Sequence, residues 1–464
     1  MHKQVSKWSQ LLIVSMGVFL SVIDIFIVNV AIPSIKKGIH GTDGDVQLVI
    51  ALYLTGYAAF LITGGRAGDY FGKKAVFVTG ISLFTLASTF CGLSQTAFQL
   101  NISRLVQGIS AGIMVPQSIA YIQVLFPDGR ERIKALGIYG SIAGSASVIG
   151  QLLGGIIPDM NFFTAGWRLI FLINLPFGIL AAFFAWKFLP RTTRLSDKKF
   201  DFPGVALLSI ILVSLVYPII RGRESGWPLW SIILIFSSVL LTPFFLLNQK
   251  RKSDKDTNPL INLKLFEYKD FNIGLIASLL YFMVQDTYFL INAILFQNAL
   301  ELSSSDAGIL FSFQGIGYVV ASLISIRLLR IYGKYVLIAG VSLMIITLIF
   351  HILLLNANHL NTNLLVAVLL GYGMGCGSVL PSLLTMTLKN IPPELAGSAS
   401  GMYSTFQQTA IALGIGIIGG IFFDKLPGNL TLHAYLQAYN LATYINIGFL
   451  LLTGVLLFRF SSTQ

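Results

Sequence analysis

A chain of 464 residues that is 55% hydrophobic and only 11% charged, with a mean hydropathy of +0.79, has the composition of a polytopic membrane protein; soluble domains carry about 25% charged residues. Its formal net charge of +12 would point to nucleic acid in a soluble protein. Here the charges sit in short gaps between apolar runs, where they set membrane orientation, and no nucleic-acid partner is expected. The only two cysteines, Cys91 and Cys376, lie within apolar runs and offer neither a disulfide framework nor a metal-ligand spacing.

Apolar stretches of roughly 20 residues predict membrane-spanning helices. Fourteen follow one another, at 11–33, 46–65, 75–94, 97–126, 133–157, 168–189, 202–220, 229–247, 271–297, 306–329, 335–355, 363–388, 396–423 and 438–460. The first is too long for a signal-peptide core and lacks a small-residue cleavage site, so it is expected to remain as a helix. Glycine is frequent inside the runs, which suits close helix packing in lipid. With the N-terminus in the cytoplasm, 24 of the 31 Lys and Arg residues fall in cytoplasmic segments, six fall outside, and Arg104 lies within a helix. This positive-inside bias predicts a multi-pass protein of the cell membrane with both termini cytoplasmic.

Two carboxylates interrupt otherwise uncharged runs: Asp24 in 11–33 and Asp286 in 271–297. A charge at mid-membrane costs roughly 2.5–3.5 kcal/mol on insertion scales, so it marks an ion or substrate path. The two are related by an internal repeat. The pattern V-x-D-x-F-x-x-x-x-A-I at Val22–Ile32 returns, with Tyr for Phe, at Val284–Ile294, an offset of 262. Gly108, Gly112 and Pro116 return as Gly373, Gly377 and Pro381; Ala135, Gly137 and Tyr139 as Ala399, Gly401 and Tyr403; Gly154–Gly155 as Gly419–Gly420; and Phe71–Lys73 as Tyr332–Lys334. The first six and last six runs therefore read as two copies of a six-helix bundle. Runs seven and eight form an insert, which divides the chain into 1–190, 191–255 and 256–464. Parallel repeats of this kind build transporters with a midplane substrate site.

Three motifs carry a resemblance: GGRAGDYFGKK (64–74), expected as a loop after the second run; RLVQGISAG (104–112); and GSIAGSASVIGQLLGG (140–155). They resemble the conserved motifs of the major facilitator superfamily. DIFIVNVAIP, FPDGRERIKALG, WRLIFLINLPFG, FDFPG and NPLINLKLF resemble its fourteen-helix drug/proton antiporter branch, and the likeness covers nearly the whole chain. It implies an all-α integral membrane protein of the major-facilitator fold. It also implies that Gly65, Asp69, Gly72 and Lys73 act as a gating loop, that Arg104 supports a proton relay, and that Gly150, Gln151, Gly154 and Gly155 are the antiporter motif. Gln151 stands where that motif carries proline, so a weaker kink is expected.

Asp24 and Asp286 are expected to carry protons and to pair with a cationic substrate, because low dielectric favours the neutral, protonated carboxyl; a single interhelical hydrogen bond is the plainer alternative. Phe26, Asn29, Gln285, Tyr288 and Asn292 are candidate cavity residues, and Tyr281, Phe282 and Phe289 could meet a flat cation through their rings. No nucleotide loop, metal cluster or nucleophile triad is present in the sequence. The reading is a monomeric, non-enzymatic exporter of hydrophobic or cationic compounds, without cofactor, driven by a proton gradient through alternating access. Alternatives are an exporter of an amphipathic lipid, fatty acid or endogenous metabolite, a non-transporting membrane sensor, and, least favoured, a membrane-embedded enzyme.

Overall fold

The computed structural model describes residues 6–160, 164–192, 201–254, 259–357, 361–426 and 431–461, with the side chains at 69, 129, 133, 393, 394 and 397 outside the description. Fifteen α-helices make up the described chain: α1 (Lys7–Ile39), α2 (Asp43–Phe71), α3 (Lys73–Leu93), α4 (Ala97–Leu125), α5 (Gly129–Ile156), α6 (Gly166–Leu172), α7 (Asn174–Phe188), α8 (Phe202–Glu224), α9 (Leu229–Asp254), α10 (Lys269–Ile294), α11 (Ser304–Tyr332), α12 (Tyr335–Leu355), α13 (Thr362–Leu388), α14 (Pro393–Asp424) and α15 (Leu432–Phe458). With α6 and α7 taken together they give 14 apolar spans of at least 21 residues. At 1.5 Å per residue each of these crosses a hydrocarbon core of about 30 Å.

The structure departs from the expected elements at two places. The run 168–189 is broken at Ile173, because Pro176 has no N–H to return to the preceding turn. The stretch 64–74, expected as a loop, is helical apart from Gly72, since α2 continues to Phe71 and α3 begins at Lys73. The glycines there serve close packing instead of a turn: a Cβ on Gly64 would run into the Gly112 carbonyl, and one on Gly68 into the Gln117 side-chain amide. The turn itself is confined to Gly72, whose φ of 89° is open to glycine and strained for other residues.

The described chain falls into two compact units. Unit 1 comprises Met1–Val28, Ile35–Gly150 and Met160–Leu263; unit 2 comprises Asn29–Ser34, Gln151–Asp159 and Lys264–Gln464. Each unit carries one copy of the repeat. In unit 1, α2 is capped by Thr42, whose side chain accepts from the Asp45 amide. In unit 2, α11 is capped by Ser303, accepting from the Asp306 amide. These pairs stand 261 residues apart, as do the left-handed glycines Gly72 and Gly333 that end the two helices. The same register governs packing: a Cβ on Gly108 of α4 would strike the Tyr53 carbonyl of α2, and one on Gly373 of α13 would strike the Gln314 carbonyl of α11.

The inserted pair α8 and α9 lies within unit 1. At one end of α8, Arg221 binds Asp45 and Glu224, and Glu224 accepts from the Gly44 amide at 2.8 Å. At the other end Asp201 caps α8 and pairs with Lys252 of α9. Burial alone would raise the Asp201 carboxyl, but the hydrogen bonds from Lys252, Gln249 and the Gly204 amide outweigh it and hold the group below its usual range. The outward faces of α9 are apolar, as Ile232, Phe236, Leu240, Phe244 and Leu247 show; a lipid-facing helix needs no polar partner there because its backbone is satisfied internally.

Candidate functional site

Asp24 and Asp286, equivalent by the repeat, occupy opposite electrostatic situations. Asp24 on α1 is fully buried, and both of its oxygens are used. Oδ2 accepts from Arg104 Nη1 at 2.5 Å, and Oδ1 accepts from Gln107 Nε2 at 2.8 Å and Asn174 Nδ2 at 3.2 Å. Arg104 is held from every side. Its Nε donates to the Val49 carbonyl at 2.9 Å, Nη1 also donates to Gln107 Oε1 at 2.7 Å, and the guanidinium lies 4.2 Å from the Tyr53 ring centre. Gln107 follows Arg104 by one helical turn on α4. Asn174 sits at the break between α6 and α7 and also donates to Ser88 Oγ at 3.0 Å. A buried ion pair is tolerable only when its remaining lone pairs and protons find partners, and this network engages both oxygens of Asp24 and the Nε and Nη1 groups of Arg104.

Asp286 on α10 is also buried. The one hydrogen bond described for it comes from Asn29 Nδ2 to Oδ1 at 3.3 Å, and among the described residues no cation pairs with it. In unit 2 several buried side-chain amide oxygens are under-used: among the described residues Asn29 Oδ1, Gln285 Oε1 and Gln314 Oε1 have no hydrogen-bond partner. Buried polar atoms left this way cost about 1–3 kcal/mol each unless water or a ligand meets them.

The structure brings only some of the expected cavity residues to the acids. Asn29 meets Asp286. Tyr288 instead stacks on Tyr372, with ring centres 3.9 Å apart, and its hydroxyl lies 3.2 Å from His351 Nδ1. Asn292 donates back to the Tyr288 carbonyl at 2.8 Å. Tyr281 and Phe282 pack edge to face at 5.1 Å, and Phe289 meets Phe311 at 5.5 Å. Phe26 is half-buried and lies where a Cβ on Gly150 would come within 3.0 Å.

The antiporter motif lies on an α5 that continues unbroken through Gln151, which is buried with Oε1 unpartnered. Gly150 packs on the Ile23 carbonyl beside Asp24, while Gly155 packs on Gly308 and the Ser304 carbonyl of α11; Gly154 is buried. Of the gating residues, Gly65 and Asp69 are on the last turns of α2, and the Asp69 side chain lies outside the described residues. Gly72 makes the turn, and the Lys73 amide donates to Thr192 Oγ1 at 3.0 Å. Gln107, Asn174, Gln314, Tyr372 and His351 were not among the residues expected from the sequence. Polar character inside an apolar run was their only signal, and it does not say which helix each one faces.

The model of the Major Facilitator Superfamily matches residues 14–415 and again 274–463. The puromycin resistance protein pur8 of Streptomyces alboniger is 30% identical over 97% of this chain and 90% of that protein. A probable actinorhodin transporter of Streptomyces coelicolor is 28% identical over 92% and 74% respectively. The riboflavin transporter RibZ of Clostridioides difficile is 29% identical over 94% and 93%. Among solved structures, the nucleoside transporter NupG superposes with a TM-score of 0.69 at 13% identity, covering 97% of this chain and 100% of that one, a likeness of fold alone. The chain is thus a multi-pass membrane transporter, not an enzyme, and it belongs to the major facilitator superfamily.

Proposed function

We propose that this transporter exports hydrophobic, cationic compounds across the cell membrane in exchange for protons, by alternating access, and that Asp286 is the group at which proton and substrate exchange. The observation carrying this reading is the contrast between the two acids. Asp24 has a resident cation in Arg104, which balances its charge. Among the described residues Asp286 pairs with an amide and no cation; in a low-dielectric site it is neutral when it holds a proton, or when a cation replaces that proton. Relatives named for antibiotic resistance and export agree with an export direction. In this reading Asp24 and Arg104 hold α1, α4 and α7 in register, and the gradient of protons, with no cofactor, supplies the energy.

The test is substrate-induced proton release from purified protein in weakly buffered detergent, over a panel of cationic dyes and anionic amphipaths. Cations should release protons from the parent protein and none from Asp286→Asn, with the variant's elution on size exclusion unchanged because the amide is nearly isosteric. Undiminished release in Asp286→Asn would remove the exchange role. A second reading, export of an endogenous metabolite, draws on the relative named as a riboflavin transporter. Transport of uncharged compounds that is indifferent to Asp286→Asn would favour it.

A further inference from the structure

The internal repeat shows what unit 2 lacks. The helix pairs α2/α4 and α11/α13 share one register, since Gly108 rests on the Tyr53 carbonyl and Gly373 on the Gln314 carbonyl. On that register, position 104 of α4 corresponds to 369 of α13, 107 to 372, and 53 to 314. Where unit 1 has Arg104, unit 2 has Leu369, fully buried and apolar. Where unit 1 has Gln107 and Tyr53, both engaged with the guanidinium, unit 2 has Tyr372 and Gln314; both are buried, and Gln314 Oε1 has no hydrogen-bond partner among the described residues. The duplicated acid has kept its place while the cation that serves it has gone.

We propose that the substrate's own positive group takes, in unit 2, the place that the Arg104 guanidinium takes in unit 1, and that this seat selects cations bearing N–H donors, namely primary or secondary ammonium, amidinium or guanidinium, over quaternary ammonium. This rests on the reading of Asp286 as the exchange site. The selectivity follows from the chemistry of the vacant partners. Among the described residues the buried amide oxygens of Asn29, Gln285 and Gln314 have no hydrogen-bond partner; such oxygens only accept hydrogen bonds, and the carboxylate of Asp286 adds further acceptors. A guanidinium brings five N–H donors and an ammonium three, whereas a quaternary ammonium brings none. A quaternary ion satisfies the charge but leaves every acceptor buried and unpaired. Sites built to hydrogen-bond a ligand reject the analogue that lacks the donor far more strongly than apolar pockets discriminate by size.

The experiment compares (2-naphthylmethyl)ammonium with (2-naphthylmethyl)trimethylammonium, which share one ring system and one charge, by calorimetric titration of the full chain in nanodiscs at pH 6.5. The primary ion should bind at least about tenfold more tightly. Gln314→Leu and Tyr372→Phe, each checked for an unchanged elution profile, should bring the ratio of the two affinities toward parity, a change that a general loss of structure would not produce. Equal affinities in the parent protein, or preference for the trimethyl ion, would overturn this inference and leave the exchange role of Asp286 standing. Binding of neither ion, or binding unaffected by Asp286→Asn, would overturn both.

Discussion

At the residue scale, the same side chain in the same repeat position does two different things because of what stands one helix away. Asp24 is an acceptor for three side chains drawn from α4 and α7, so its loss is mainly a structural event. Asp24→Asn leaves Arg104 buried beside a neutral amide, and removing one partner of a buried pair costs about 3–5 kcal/mol. The variant should therefore melt well below the parent in a detergent thermal-shift assay, and Asp24→Asn combined with Arg104→Gln should recover part of the loss. A thermal midpoint for Asp24→Asn equal to that of the parent would mean that the ion pair does not hold unit 1 together. Asp286→Asn, with no cation to orphan, should melt near the parent.

At the scale of elements, the glycines divide into those that set helix separation and those that do not. A Cβ on Gly373 would meet the Gln314 carbonyl, a backbone atom that cannot swing away, whereas nothing lies within 4 Å of a Cβ on Gly140. Forcing atoms into a packed interface costs typically about 1–3 kcal/mol, while glycine in an open helix interior is about 0.5–1 kcal/mol worse than alanine. Gly373→Ala should lower the yield of monodisperse protein and its thermal midpoint, and Gly140→Ala should hold or raise both. If the two variants behave alike, the shared register of α2/α4 and α11/α13 is not maintained by these glycines. The helix break at Ile173 belongs to this scale too, for it is the proline three residues on that brings Asn174 to the end of a helix, where its amide reaches both Asp24 and Ser88.

For the whole molecule, fourteen spans and the distribution of Lys and Arg give an orientation that reporter fusions will check. Both termini should be cytoplasmic, so a fluorescent protein fused after Gln464 should fold and fluoresce, and alkaline phosphatase at the same place should be inactive. The reverse result would invert the export scheme. The two units carry the duplicated acid in different surroundings. One copy of the acid is paired with a resident arginine. In the other, the arginine position is Leu369, and among the described residues no cation pairs with the buried Asp286.

Much of this was legible in the residues. Length and hydropathy determine the membrane class, because a run of 20 apolar residues has no other satisfactory solvent; the repeat offsets determine the duplication, and the motifs point to the family. Asp24, Arg104 and Asp286 stand out because a charge in such a run is too costly to be incidental. What the sequence leaves open is which side chains meet. Gln107 and Asn174 lie 83 and 150 positions from Asp24, and helical periodicity tells which residues share a face but not which helix that face meets. Only the tertiary structure pairs Arg104 with Asp24, and only that pairing gives Leu369 a meaning, as the place where the second acid lacks its partner.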